Sequence, residues 1–341
     1  MISSHLHSPD VEIKVPASIA NLGSGFDTLA VAVQLYLRVR ATVMPGRGGM
    51  EFHFVGQQLC GENGIERAYR HLAGQQLSSL PSLFVEVDSE IPMGAGLGSS
   101  AAATVAGLRL YEAVVGPISP QDMLNAACTL EGHPDNSSAA LLGGLTASCK
   151  LPDGSVHASS FPWPELLRFV VLTPEQRLGT KQSRAILPTS IPLADAVHNL
   201  QRVALLLHSL HALDFSMLRH GLSDRLHQPA RQNLVPGLKA ALELQHPDLL
   251  GVCLSGSGPS IVALAERNTS AIAELLSSVY KPISIPYSVR VLDAHPEPRD
   301  ILPPAEANSR LPHPIGCDSD SERHGGYGNV AGTVGRVQAG L

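Results

Sequence analysis

The sequence predicts an α+β fold in two lobes. Three observations carry that expectation. Residues 34–43 alternate apolar and polar positions, the signature of a half-buried antiparallel strand. Residues 99–115 are alanine-rich and free of proline, which predicts a helix. Elsewhere strand and helix signals are mixed, without the strict strand–helix alternation of a parallel sheet.

The elements follow in chain order. Within 34–43, Leu35, Leu37, Val39, Ala41 and Val43 share one face, and Tyr36, Arg38, Arg40 and Thr42 share the other. The runs 51–55 and 83–87 are similar and shorter. Between them Ile65, Ala68, Tyr69 and Leu72 recur at helical spacing over 64–73. Ser119-Pro120-Gln121-Asp122 supplies an N-cap, a proline at the first helical position and an acid in the first turn. A helix is predicted from there to about Leu130. Runs 167–173 and 286–293 read as strands, and 192–213 and 269–279 as helices. From about Pro296 the chain is rich in Pro, Gly, Ser, Asp and His with no apolar period, which predicts a disordered tail.

The bulk properties exclude several classes. Apolar residues make up 44% and charged residues 16% of 341, enough for a substantial core. The net charge is −6 and no basic tract stands out, which argues against a nucleic-acid or anionic membrane surface. A site for an anionic ligand must then be built locally, from backbone N–H groups, a metal or a few placed cations. The five cysteines (Cys60, Cys128, Cys149, Cys253 and Cys317) form no C-x-x-C pair, so free thiols in a reducing compartment are expected. The opening MISSHLHSPD lacks the apolar core of a signal peptide. Apolar runs such as Val203–Leu207 fall far short of the ~20 residues of a membrane helix. A cytoplasmic location is expected.

The sharpest motif is the stretch from Ile91 to Ala102: Pro92, Met93, Gly94, Ala95, Gly96, Leu97, Gly98, Ser99 and Ser100 lie between a strand and the alanine-rich helix. Its glycines permit a tight turn and close ligand approach, and the helix start offers free N–H groups and a positive dipole end to phosphate. No Lys follows Gly98, so this is not a Walker A loop, and Ser99 stands where a dinucleotide fingerprint needs its third glycine. Taken alone, the loop is also compatible with a plain glycine turn and a serine N-cap. Two further motifs count against that. Glu131-Gly132-His133-Pro134-Asp135-Asn136 packs acid, imidazole, acid and amide into one loop that ends at Gly143-Gly144. Ser255-Gly256-Ser257-Gly258-Pro259-Ser260 is a small-residue loop after the apolar run Val252–Leu254.

Together the three motifs resemble the GHMP kinases, the family of galactokinase, homoserine kinase, mevalonate kinase and phosphomevalonate kinase. Within it the chain is most similar to the homoserine kinase branch. That likeness rests on Val15-Pro16-Ala17-Ser18-Ile19-Ala20-Asn21-Leu22-Gly23-Ser24-Gly25-Phe26-Asp27, on the E-G-H-P-D-N form of the second motif, on Thr180–Arg184, and on Asp224–Arg231. It covers roughly residues 11–295.

The resemblance implies an N-terminal ribosomal-protein-S5-like lobe over 11–160, a C-terminal ferredoxin-like lobe over 161–295, and a tail over 296–341. It implies ATP-dependent phosphorylation of the side-chain hydroxyl of L-homoserine, a step of threonine biosynthesis, by a homodimer using ATP and Mg²⁺. Pro92, Gly94, Ala95, Gly96, Leu97, Gly98 and Ser99 would wrap the phosphates. Ser100 would lie near the metal, and Asn63 near the adenine. Asn21, Asp27, Asn136, Arg184 and Arg231 would hold the substrate. The residue chemistry agrees: Arg binds a carboxylate bidentately, and Asp27 suits an ammonium. Asp135 and Asn136 are both candidates for the reacting hydroxyl, and His133 is expected to hydrogen-bond within its turn. The family's metal-binding Glu lies several residues before the Asp-Asn pair. Asn125 stands at the further-upstream position here, which leaves Glu131 as the local candidate. Another kinase of this family, acting on mevalonate, shikimate or a sugar, and a non-catalytic nucleotide-binding relative are the rival readings.

Overall fold

The computed structural model describes residues 10–56 and 62–296. The chain runs β1 (Val11–Ala20), β2 (Leu29–Arg47), β3 (Met50–Val55), α1 (Gly64–Ala73), β4 (Pro81–Ser89), α2 (Ser99–Val115), α3 (Pro120–Glu131), α4 (Asp135–Leu142), β5 (Leu145–Lys150) and β6 (Val156–Phe161). It continues with β7 (Arg168–Pro174), α5 (Thr180–Ala185), α6 (Leu193–Ala212), α7 (Leu218–Gly221), α8 (Gln228–Arg231), α9 (Leu238–Leu242), β8 (Gly251–Leu254), β9 (Ile261–Ala265), α10 (Thr269–Tyr280) and β10 (Tyr287–Leu292).

Two sheets result, and with the helices they make the α+β fold that the sequence predicts. One has the order β3-β4-β2-β5-β6 with β1 also paired to β2, and the other has the order β10-β7-β9-β8. All pairings are antiparallel except β3 with β4. The predicted strand at 34–43 is the middle of the 19-residue β2. Its neighbour β1 was legible only as a motif, because Pro16 interrupts the strand signal; the register shifts between Pro16 and Ala17, where a bulge tolerates proline.

Side-chain caps start two of the helices, the one at Ser119 as predicted and the one at Asn63 not foreseen. Asn63 Oδ1 accepts from the Ile65 and Glu66 N–H groups and starts α1, and Ser119 Oγ accepts from the Asp122 N–H and starts α3. The second motif is not only a turn. It forms α4, a helix whose polar residues Asp135, Asn136, Ser137 and Ser138 are all buried.

The two sheets bring three loops and strand β1 to one place. The Ser18 N–H donates to Leu97 O, tying β1 to the glycine loop. The Ser260 N–H donates to Ala95 O and the Ser255 hydroxyl to Gly96 O, tying in the β8–β9 loop. The Leu178 N–H donates to Gly94 O, tying in the segment after β7. The predicted tail lies outside the described residues beyond Pro296. The chain up to that point is held: the His295 N–H donates to Ala32 O, and the Gly144 N–H donates to His295 O.

Candidate functional site

Gly94, Gly96 and Gly98 have φ of 67, 78 and 72°, a region that L side chains rarely adopt. At Gly96 space forbids a side chain as well: a Cβ would sit 2.4 Å from Ser255 O and 2.7 Å from Gly258 O. Gly98 is the N-cap of α2 and offers no side-chain cap, so the first N–H groups of that helix stay available for an anion. The serines therefore do not cap the helix. Ser100 instead donates to Glu131 Oε1 at 3.0 Å.

Glu131 is 6% exposed at its side chain and is fixed from three sides. Its Oε1 accepts from the Thr104 hydroxyl at 2.6 Å and from Arg67 at 3.1 Å as well as from Ser100. Asn125 lies elsewhere in function: its Oδ1 accepts from Gln121 and from the Val156 N–H, which docks α3 onto β6. Among the described residues no three His, Cys, Asp or Glu cluster into a metal cage. One carboxylate beside one hydroxyl fits a hard divalent cation that draws its remaining ligands from phosphates and water.

Asp135 and Asn136 stand next to this pair. The Asp135 Oδ1 contacts His133 Nδ1 at 2.6 Å and accepts from the Asn136 N–H at 2.7 Å. Its Oδ2 has no hydrogen-bond partner among the described residues. Asn136 Oδ1 accepts from the Ser18 hydroxyl at 2.7 Å, which fixes the amide. Burial works against a charged His133, but its Asp135 partner outweighs that and holds the ring's pKa above the ordinary value. His133 thus bonds within its turn, as the sequence suggests.

The substrate candidates form the far wall. Asp27 and Arg184 make a bidentate ion pair at 2.6 and 3.0 Å. The Asn21 side chain accepts from the Asp27 N–H and donates to Gly256 O, so it holds the loop that carries Asp27. Arg231 is 1% exposed, and its hydrogen bonds go to Ser183 O, Gly256 O and His227 Nδ1, none of them a carboxylate. Burial and the nearby Arg184 pull its pKa down to about 10. His227 Nε2 bonds to Gly23 O, so Nε2 carries the proton and Nδ1 accepts from Arg231. Phe26 stacks on His227 with centroids 5.1 Å apart, and both guanidinium groups lie within 6 Å of its ring, Arg184 at 5.8 Å and Arg231 at 5.6 Å.

Two cavities adjoin here. The polar one is lined by Glu131, Asp135, Asn136, Asp27, Arg184 and Arg231 together with the glycine loop. The more apolar one is lined by Asn63, Ile65, Phe54, Val87, Ile91 and Met93 among others. Gly94, Ser99 and Ser100 belong to both. Of the predicted loop residues, Ala95 and Leu97 are buried, and neither they nor Pro92 lines either cavity. Phe26, His227, Ser18 and Thr104 were given no site role from the sequence. The i,i+4 spacing of His227 and Arg231 was the one local signal for any of them.

Comparison with known proteins identifies the family. The family model of the GHMP kinases N terminal domain matches residues 63–144, and that of the GHMP kinases C terminal matches 196–281. A homoserine kinase of Solibacter usitatus is 37% identical over 275 residues, which is 79% of this chain and 90% of that protein. One of Thermus thermophilus is 38% identical over 274 residues, covering 78% and 91%. The crystal structure of homoserine kinase from Cytophaga hutchinsonii superposes with a TM-score of 0.75 at 27% identity, covering 87% of this chain and 98% of that one. A mevalonate kinase of L. major, at 16% identity and a TM-score of 0.64, shares the fold alone. The chain belongs to the GHMP kinases, in their homoserine kinase branch.

Proposed function

We propose that this protein transfers the γ-phosphoryl group of ATP to the side-chain hydroxyl of L-homoserine, giving O-phospho-L-homoserine, ADP and a proton. The observation that carries this reading is one cavity with a phosphate-binding helix start on one side and an amino-acid-sized set of opposite charges on the other. The glycine loop and the first N–H groups of α2 hold the β- and γ-phosphates. The apolar cavity beside Asn63 takes the nucleoside. Asn63 Oδ1 is already engaged as a helix cap, which leaves its amide N–H₂ as the group free to donate to the base.

Ser100 and Glu131 would hold a Mg²⁺ ion, which when bound neutralises the phosphate oxygens. Arg184 and Arg231 take the substrate carboxylate, and Asp27 takes the ammonium. Asn136 and the unpartnered Oδ2 of Asp135 orient the reacting hydroxyl. Phosphoryl transfer of this kind depends mainly on alignment and charge neutralisation, so no strong general base is needed. A homodimer and a lobe boundary at residues 160–161 belong to the same proposal and rest on the family resemblance, and a cytoplasmic location belongs to it on the strength of the unpaired cysteine pattern. No described helix is long and apolar enough to cross a membrane. Phosphorus NMR of a reaction with MgATP and L-homoserine checks the chemistry: a phosphomonoester resonance of O-phospho-L-homoserine is expected. ATP hydrolysis to free phosphate without that product would reject it.

A further inference from the structure

The ion pair between Asp27 and Arg184 joins the two groups that would meet opposite ends of the substrate. Each is therefore occupied by the other before any ligand arrives. We propose that the Asp27–Arg184 pair is a zwitterion-selective latch: it opens by exchange, and only a ligand that offers both a carboxylate and an ammonium can replace both halves. This inference rests on the function proposed above and goes beyond it, because it assigns the pair a role in rejecting other hydroxy compounds.

The surroundings argue for exchange. The loop that carries Asp27 is held rigidly: Asn21 and Asp27 have φ of 73 and 53°, and the Asn21 side chain accepts from the Asp27 N–H. The fixed backbone presents the carboxylate to Arg184 and to the cavity. Its side chain is 31% exposed and that of Arg184 is 36% exposed, so both ends of the pair can be reached from the cavity. Arg231 lies behind, buried and with no carboxylate partner. The site holds two cations and one anion on this wall. A bound amino acid adds one charge of each sign: its carboxylate answers Arg184 and Arg231, and its ammonium answers Asp27. A hydroxy acid without the amine has two poor choices. It can bind Arg231 alone, or it can break the pair and strand Asp27 without a cation in a half-buried place, which is costly. Discrimination thus arises from a penalty on the wrong ligand as well as from contacts to the right one.

The two sources of discrimination separate in the variant Asp27→Asn. If Asp27 acts only as an ammonium partner, the variant loses activity on L-homoserine and leaves 4-hydroxybutyrate unchanged. If the latch exists, the variant also frees Arg184, and 4-hydroxybutyrate becomes a better substrate than it is for the wild type. We expect its kcat/KM to rise about tenfold, the scale of one partly buried charge interaction, while that of L-homoserine falls and the KM for ATP stays put. No gain on 4-hydroxybutyrate, with the KM for ATP intact, overturns the latch and leaves the proposed function standing. Inactivity of the wild type on L-homoserine overturns both. Should the variant fail to fold, methylammonium added to the wild type with 4-hydroxybutyrate replaces it, since a free cation can then occupy Asp27. Turnover is expected to rise several-fold, and no response would overturn the latch.

Discussion

Ser100 and Glu131 lie 31 positions apart and meet at 3.0 Å because α2 begins and α3 ends at the cavity. Ser100→Ala leaves Glu131 with Thr104 and Arg67, so the fold survives while a ligand to metal and phosphate is lost. The kcat should fall by about 100-fold or more, in the range seen when one preorganised electrostatic contact is removed, and steady-state kinetics with MgATP checks it. Arg231→Lys keeps the charge but cannot reproduce the guanidinium contacts to His227 and Gly256. The KM for homoserine should rise at least about tenfold and that for ATP by much less; equal rises would point to a collapsed site. His133 carries a pH signature. Its folded pKa is raised, so its stabilising contribution is complete below about 6.5, the unfolded value, and is lost as pH rises through the folded pKa. The difference in Tm between wild type and His133→Asn should shrink over that rise; a difference independent of pH would contradict the His133–Asp135 pairing. The motif residues were legible because each motif is a short run with its own chemistry. Phe26 and His227 were not, since they meet across about 200 residues and only the folded chain places that ring between two guanidinium groups.

At the scale of elements, the glycine loop is a spacer between β4 and α2 that tolerates no side chain at its centre. Gly96→Ala combines a left-handed φ with a Cβ pressed on two backbone carbonyls, and it should destabilise the protein by about 3 kcal/mol or more. Gly154→Ala, at a φ of 88° but with open space around it, should lower the Tm much less in the same thermal melt. Equal losses would mean that strain alone matters and that the packing against Ser255 and Gly258 does not. The helices α1, α2 and α3 could be read from caps, alanine content and apolar spacing. Helix α4 could not, because its polar residues Asp135, Asn136, Ser137 and Ser138 are buried along with its apolar ones, so it has no exposed polar face to give a period. The strands β5 and β6 are short, and their alternation lies within serine- and glycine-rich sequence that reads equally as loop.

Across the whole molecule, the last described residues close the first sheet. Gln34, Gly144 and Ala32 bond with Asp293 and His295, and the Tyr36 hydroxyl meets the His295 ring at 3.2 Å. A chain ending at Leu292 should therefore melt several degrees below one ending at Pro296, as expected when about 1 kcal/mol or more of hydrogen bonding is removed; identical melting curves would contradict the role of this closing segment. The change of composition at Pro296 marks the point beyond which the sequence offers no pattern, but it does not reveal that the preceding three residues are tied to β2. Fold class and family were legible in the sequence because three separated motifs occur in the right order. The pairing of Asp27 with Arg184 was not, because each residue alone reads as a ligand contact. The most direct test of the account is ADP release from the purified protein with MgATP and, in turn, L-homoserine, mevalonate, shikimate, galactose and L-threonine. A clear preference for L-homoserine is predicted, whereas preference for another compound, or no release with any of them, would contradict the proposed substrate.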